Sequence, residues 1–179
     1  MEFDQRQANE APGVLLRFKA LILDWLFICA YLLFLFVITI SFYFWVLHEI
    51  PEFTNLQSQL IATILSVVPI MIVFSMMEGS SNFASWGKKK ANLKVIYKCM
   101  PMKSSIIRNI LKFLPWQFGH MSTINGIYNG FDTLFSLIFF TLSVIFTIIY
   151  VLMAFARKDN RHLADLLTGS KVVKNVKID

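Results

Sequence analysis

A chain of 179 residues, 56% apolar with eighteen phenylalanines, exceeds the ~45–50% apolar share of a soluble domain. The excess is gathered into long runs, which points to membrane spans and not to an enlarged core. The net charge of +6 is just as uneven: Lys and Arg number three in residues 1–23, none in 24–87, eight in 88–112 and six in 157–177. That clustering marks loops beside spans rather than a nucleic-acid footprint, so no nucleic-acid partner is expected. Cys29 and Cys99 make no disulfide framework, and His48, His120 and His162 fall in three segments without metal-ligand spacing.

Residues 1–14 are polar and contain Pro12 and Gly13, and read as a loose cytoplasmic tail or a short surface helix. The first span, about 16–44, has Arg17 at its mouth and Asp24 inside its apolar run. It is too long for a signal-peptide core and no small-residue cleavage site follows, so it is expected to stay in the mature protein. Tyr43 and Trp45 suit an aromatic belt on the far side. Residues 46–59 carry Glu49 and Glu52 but no Lys or Arg, and read as an outer loop. The second span is about 60–77. Pro69 in its middle is expected to kink it and to free a backbone carbonyl, which a neighbour must then satisfy. An inner loop, 78–105, holds the breaker Gly79-Ser80-Ser81-Asn82, the run Lys88-Lys89-Lys90 and a strand-like stretch, Leu93 to Lys98. Residues Ser170 to Ile178 have the same character, and the two stretches are expected to pair as a small cytoplasmic sheet, since neither is stable alone.

Three obvious spans from an inside N-terminus would leave the last basic cluster, Arg157, Lys158 and Arg161, on the outside. The positive-inside rule therefore requires another crossing. The segment 106–124 is expected to supply it as a short, polar third span carrying Arg108, Lys112 and Pro115. Such a span survives in lipid only where its polar face meets protein or water. The alternative is an amphipathic helix lying on the inner surface. In the fourth span, 131–155, Thr133, Ser136, Ser143, Thr147 and Tyr150 form one stripe expected to face the bundle. The fold class is thus an all-α membrane protein: a four-span helical bundle in one domain, 15–179, with a small cytoplasmic cap and a cytoplasmic tail at 156–179. A homo-oligomer or a membrane-protein partner is expected, because a lone bundle of this size leaves little room for a path.

Asp24 is the sharpest chemical feature. A carboxylate within lipid costs several kcal/mol unless paired, protonated or hydrated. Arg17 lies on the same helix face but ~10 Å away along the axis, so Arg108 and Lys112 are the candidate partners. Asp24, Arg108 and Lys112 then form either an ion or proton site or a structural lock between spans one and three. Arg17 reads as a headgroup anchor or as a partner of Asp165; Asp165 as a cap of local backbone amides or as that docking point. Lys88, Lys89 and Lys90 are candidate contacts for anionic headgroups, or topology determinants alone. His120 is a candidate proton relay, or a side chain that only makes a hydrogen bond. No nucleophile, phosphate-loop or metal motif appears, so neither enzymatic activity nor a cofactor is expected.

Four signatures occur in order: Arg17-x-x-Ala20-x-x-x-Asp24, then Gly87-Lys88-x-x-x-x-Leu93-x-Val95, then Arg108, then Asp165-Leu166-Leu167-Thr168-Gly169-Ser170-x-Val172-Val173. Together, over about residues 14–174, they resemble the RDD family of bacterial integral membrane proteins. The resemblance implies that Arg17, Asp24 and Asp165 are the signature arginine and two aspartates. The family's ending usually reads His-Asp-x-x-Ala-Gly-Thr-x-Val-Val. Here Ala164 precedes the aspartate, the histidine stands at His162 and receives no role, and Thr168 and Ser170 are mild departures. The resemblance implies a bacterial cell-membrane protein with both termini cytoplasmic. It offers two functions: cation or cation–proton transport, as in members that look like antiporters, or a non-transporting adaptor or assembly factor that binds a partner protein or anionic lipid.

Overall fold

The structure is a computed structural model that describes residues 12–49, 51–157 and 159–175. Most of the expected N-terminal tail, Lys158 and the far end of the expected second strand, 176–178, lie outside the described residues. Helix α1, Val14–Leu47, closes in a π-helical turn at Tyr43–Leu47 and stops at His48, whose φ of 57° turns the chain out of the helix. Helix α2, Asn55–Gly79, opens on a capping box in which Thr54 and Gln57 satisfy each other's backbone amides. After the short helix α3, Trp86–Lys90, and strand β1, Leu93–Tyr97, come helices α4, Pro101–Asn129, and α5, Leu134–Ala156. A short helix α6, Leu163–Leu167, and strand β2, Ser170–Lys174, complete the fold.

The two strands pair antiparallel from Leu93 opposite Lys174 to Tyr97 opposite Ser170. The expected two-stranded sheet is therefore present. Its inner face sets Leu93, Val95 and Val172 against Ala20 of α1 and Ala91, forming a small apolar core in the cap. A second core lies between the long helices, where Val67, Ile70 and Phe74 of α2 meet Phe113 of α4.

Three helices are long and apolar enough to cross a membrane: α1, α2 and α5. Their outward faces expose large apolar side chains such as Leu33, Phe34, Trp45 and Leu152, as lipid-facing surfaces do. The segment expected as a short third span, 106–124, lies within the 29-residue helix α4, and Pro115 lies inside that helix without ending it. The polar residues at its far end read as loop in the sequence, but they are held in helix by neighbours. Asn125 accepts from Asn55 at 2.9 Å and donates to Thr133 and Ser136 at 2.9 Å each, while Ser122 donates to the Ser136 carbonyl. Of the expected stripe, Ser136, Ser143 and Tyr150 bond α4, with Ser143 donating to the Pro115 carbonyl, whereas Thr147 is exposed and donates to the Ser143 carbonyl of its own helix.

Both intrahelical prolines are handled by one device. Proline lacks an N–H, so the carbonyl four residues earlier loses its helical donor. For Pro69 that carbonyl belongs to Leu65, and the Tyr31 hydroxyl of α1 donates to it at 2.6 Å. For Pro115 it belongs to Leu111, and the Tyr150 hydroxyl of α5 donates to it at 2.7 Å. In lipid no water can take the tyrosine's place. Tyr31→Phe is expected to cost about 1–3 kcal/mol through the orphaned carbonyl. In a Pro69→Ala background the alanine N–H returns and the cost should fall toward zero. Reversible unfolding of the four variants in detergent checks this; an equal cost in both backgrounds would refute it.

Candidate functional site

Along the α-helical part of α1 only Ala20 and Asp24 are buried, and both face the short helix α3. The approach is close because residue 87 is glycine: a Cβ there would lie 2.2 Å from the Ala20 carbonyl oxygen and 2.8 Å from the Asp24 nitrogen. Contact at that range lets the Gly87 amide donate to Asp24 Oδ1 at 2.8 Å, while the Ser85 hydroxyl donates to Oδ2 at 2.7 Å. Lys88 Nζ stands 3.8 Å from the same Oδ2. The partners of Asp24 are thus Ser85, Gly87 and Lys88. This corrects the expected pairing with Arg108 or Lys112, since neither forms an ion pair with Asp24.

From Lys88 the charges run in a chain. Its ammonium pairs with Glu78, at the end of α2, at 2.5 Å. Glu78 also accepts from Arg108 of α4 and, at 3.3 Å, from Asn109. Arg108 Nε donates to Asp165 Oδ1 at 2.7 Å, and Ser170 at the start of β2 donates to the same oxygen at 3.1 Å. Arg17 Nη2 lies 3.9 Å from Asp165 Oδ2. Glu78 and Asp165 are fully buried and Arg108 is 1% exposed. Charges buried this deeply persist only when paired and hydrogen-bonded.

Arg17 and Asp165 therefore approach each other, and Asp24 joins them only through Lys88, Glu78 and Arg108. Asp165 does not cap backbone amides. His162 takes that part, its Nδ1 accepting from the Asp165 amide at 3.3 Å, although the sequence offered no role for it. Lys88 is buried, which corrects its reading as a headgroup contact; Lys89 and Lys90 remain exposed. His120 packs edge-on against Trp116. Lys112 holds its ammonium over the rings of Phe74 and Phe113, 4.8 and 5.3 Å from their centroids. Glu78 and Ser85 were missed, and Gly87 was noted only as part of a signature, not as a partner of Asp24. A signal for Glu78 existed, because it ends an apolar run and no Lys or Arg occurs between residues 24 and 87.

A cavity of about 160 Å³ opens beside this chain of charges. Arg17, Lys88, Arg108, Lys112 and Asp24 line it, with Phe18, Leu21 and Leu93 among its apolar walls. Arg17, Lys88 and Arg108 are held in ion pairs, and Lys112 is the cation on this wall that has none among the described residues, which makes the cavity a place for negative charge. Among the described residues no group of three or more His, Cys, Asp or Glu side chains is placed to hold a metal.

On the loop side of the cluster, burial pushes the Asp165 carboxyl up, but Arg108, His162 and Arg17 outweigh it and hold it well below the usual carboxylate range. Burial pushes the His162 imidazole down from 6.5 to about 4, with Asp165 pulling the other way and Arg108, Lys112 and Arg17 adding to the drop. Two predictions follow from this geometry. Gly87→Ala should cost about 3 kcal/mol or more, because backbone and not a flexible side chain meets the new methyl. Gly13→Ala, at the N-cap of α1 with nothing within 4 Å, should cost no more than about 1 kcal/mol in the same thermal melt. Stability should also fall as pH drops from 7 to 4. The unfolded His162 takes up a proton near 6.5, whereas the folded one resists until about 4, so acid favours the unfolded chain. Below about 4 the Asp165 contribution is lost in turn. His162→Asn keeps a capping acceptor and should flatten the profile between 6.5 and 4; an unchanged slope would refute the assignment.

A search of curated proteins and one of solved structures returned no match. The family model described as the RDD family matches residues 11–169, which includes Arg17, Asp24, Glu78, Lys88, Arg108 and Asp165. The match takes in nearly all of the chain, and the protein belongs to the RDD family.

Proposed function

We propose that this is a multi-pass protein of the bacterial cell membrane with four crossings and both termini cytoplasmic. In this reading its buried charges clasp a cytoplasmic cap, and it works as a non-transporting adaptor. Its basic inner face, with Lys89, Lys90, Lys98 and Lys103 exposed, engages anionic headgroups and an acidic partner. One observation carries the choice between adaptor and cation carrier: both Asp24 oxygens are already engaged, by Ser85, Gly87 and Lys88. A cation site needs oxygen ligands with free lone pairs, and a cavity whose wall carries the unpaired ammonium of Lys112 repels cations.

The fourth crossing is supported by the reach of α4. Arg108 meets Asp165 in the cap, while Asn125 and Tyr128 bond Asn55 and the Phe53 carbonyl at the other end. The 17 residues from Arg108 to Asn125 rise ~25 Å, most of the ~30 Å hydrocarbon thickness. Between those ends its polar side chains turn toward α2 and α5, with Gln117 donating to Thr63 and Ser122 to Ser136, as a polar span in lipid requires.

Transport is the second reading, favoured by the presence of Asp24 on the wall of a cavity. Proteoliposomes holding the wild-type chain should show no cation or proton flux above empty vesicles. Flux in the wild type that vanishes in Asp24→Asn would establish the carrier instead. For topology, a membrane-impermeant maleimide applied from outside should label both His48→Cys and Asp132→Cys in a Cys99→Ser background. Labelling of Asp132→Cys only after permeabilisation would remove the fourth crossing.

A further inference from the structure

The charges around the cavity do not cancel. Arg17, Lys88, Arg108 and Lys112 face Asp24, Glu78 and Asp165, which leaves one positive charge over. The carboxylates take their ion pairs from Lys88, Arg108 and Arg17. Asp159, the next acid beyond them, is held by Arg157. His162, also on the cavity wall, adds no fixed charge. The surplus therefore rests on Lys112. Among the described residues it has the two aromatic rings beneath it and neither an ion pair nor a hydrogen bond. A second donor on the same wall, Arg17 Nη2, is buried without a hydrogen-bond partner and has only its 3.9 Å ion pair with Asp165. A half-buried charge with no counter-ion is expensive, and a monoanion in the cavity would answer it.

We propose that the cavity receives the phosphodiester of one anionic phospholipid from the inner leaflet, with Lys112 and Arg17 as its donors. The inference rests on the reading of this cluster as an anion-attracting, non-transporting site. Lysine as a mobile point charge and arginine as a planar fork are the usual pair for phosphate oxygens. The volume of about 160 Å³ is close to the ~150 Å³ that accommodates benzene. It suits a phosphate ester and the first glycerol carbons but not acyl chains. Those chains have a place outside, because Val14, Phe18 and Leu21 line the cavity and are 37%, 53% and 52% exposed on α1. A free phosphate ion shares the headgroup chemistry but would gain nothing from that apolar rim, which is why a lipid is preferred.

The test is native mass spectrometry of the full chain released from neutral detergent containing dioleoyl phosphatidylglycerol or dioleoyl phosphatidylcholine. The expected result is one retained phosphatidylglycerol and at least tenfold lower retention of the zwitterionic lipid. Lys112→Met should lower retention about tenfold, the size of one lost charge-assisted hydrogen bond. Lys112→Arg should restore it, which separates loss of the site from loss of the fold. Lys19→Gln, an exposed charge outside the cavity, should leave it unchanged. Equal retention of both lipids, or a phosphatidylglycerol adduct that survives Lys112→Met and disappears with Lys19→Gln, would overturn the proposal. Displacement of the lipid by millimolar inorganic phosphate would reassign the site to the free ion. Loss of the adduct in a chain without ion flux sinks the lipid site and leaves the adaptor reading standing. Ion flux sinks the adaptor reading whatever the lipid does.

Discussion

The structure depends on a run of buried opposite charges: Asp24, Lys88, Glu78, Arg108, Asp165 and Arg17, drawn from α1, α3, α2, α4 and α6. No member could sit at its position alone, because a single unpaired charge at such burial carries a penalty of several kcal/mol. The charges therefore act as a set. Their mutual need fixes the cap against the ends of the long helices more specifically than the few small apolar residues of the cap core, Ala20, Ala91, Leu93, Val95 and Val172, could do. Apolar contact is tolerant of sliding. A carboxylate that must meet an amide, a hydroxyl and an ammonium at once is not.

The same logic governs the contacts between the long helices. Prolines in α2 and α4 each release a carbonyl, and each carbonyl is met by a tyrosine hydroxyl from a neighbouring helix. The polar face of α4 is met by hydroxyls and amides on α2 and α5. Where solvent cannot supply hydrogen bonds, irregularity in one helix specifies the identity of a residue in the next.

What was legible in the sequence follows from this. Apolar runs and the placement of Lys and Arg depend on local composition alone, so α1, α2, α5 and the basic loop were readable. The strands were readable too, from β-branched stretches that needed a partner. The length of α4 was not, because Asn125 and Asn129 look like loop residues until Asn55, Thr133 and Ser136 are beside them. The need of Asp24 for company was legible, but the company was not. Ser85 and Gly87 lie some sixty residues away in the chain, and nothing in a serine or a glycine announces a carboxylate. Lys88 was misread because a lysine triplet reads as surface, whereas helix α3 turns one of its three inward. His162 was passed over because it stands three residues before Asp165, where a cap is found only once the short helix is seen.

The order of synthesis gives the small sheet a further meaning. Strand β1 and the Glu78–Lys88 pair emerge early, but β2 and Asp165 are made only after α4 and α5. Until they arrive, Arg108 has Glu78 alone, and the edge of β1 has no mate. Closing the clasp thus records that both later helices have been made and folded back so that β2 reaches β1. A chain halted midway keeps a raw strand edge and a half-answered guanidinium, the kind of blemish by which a cell's proteases tell an unfinished membrane protein from a finished one.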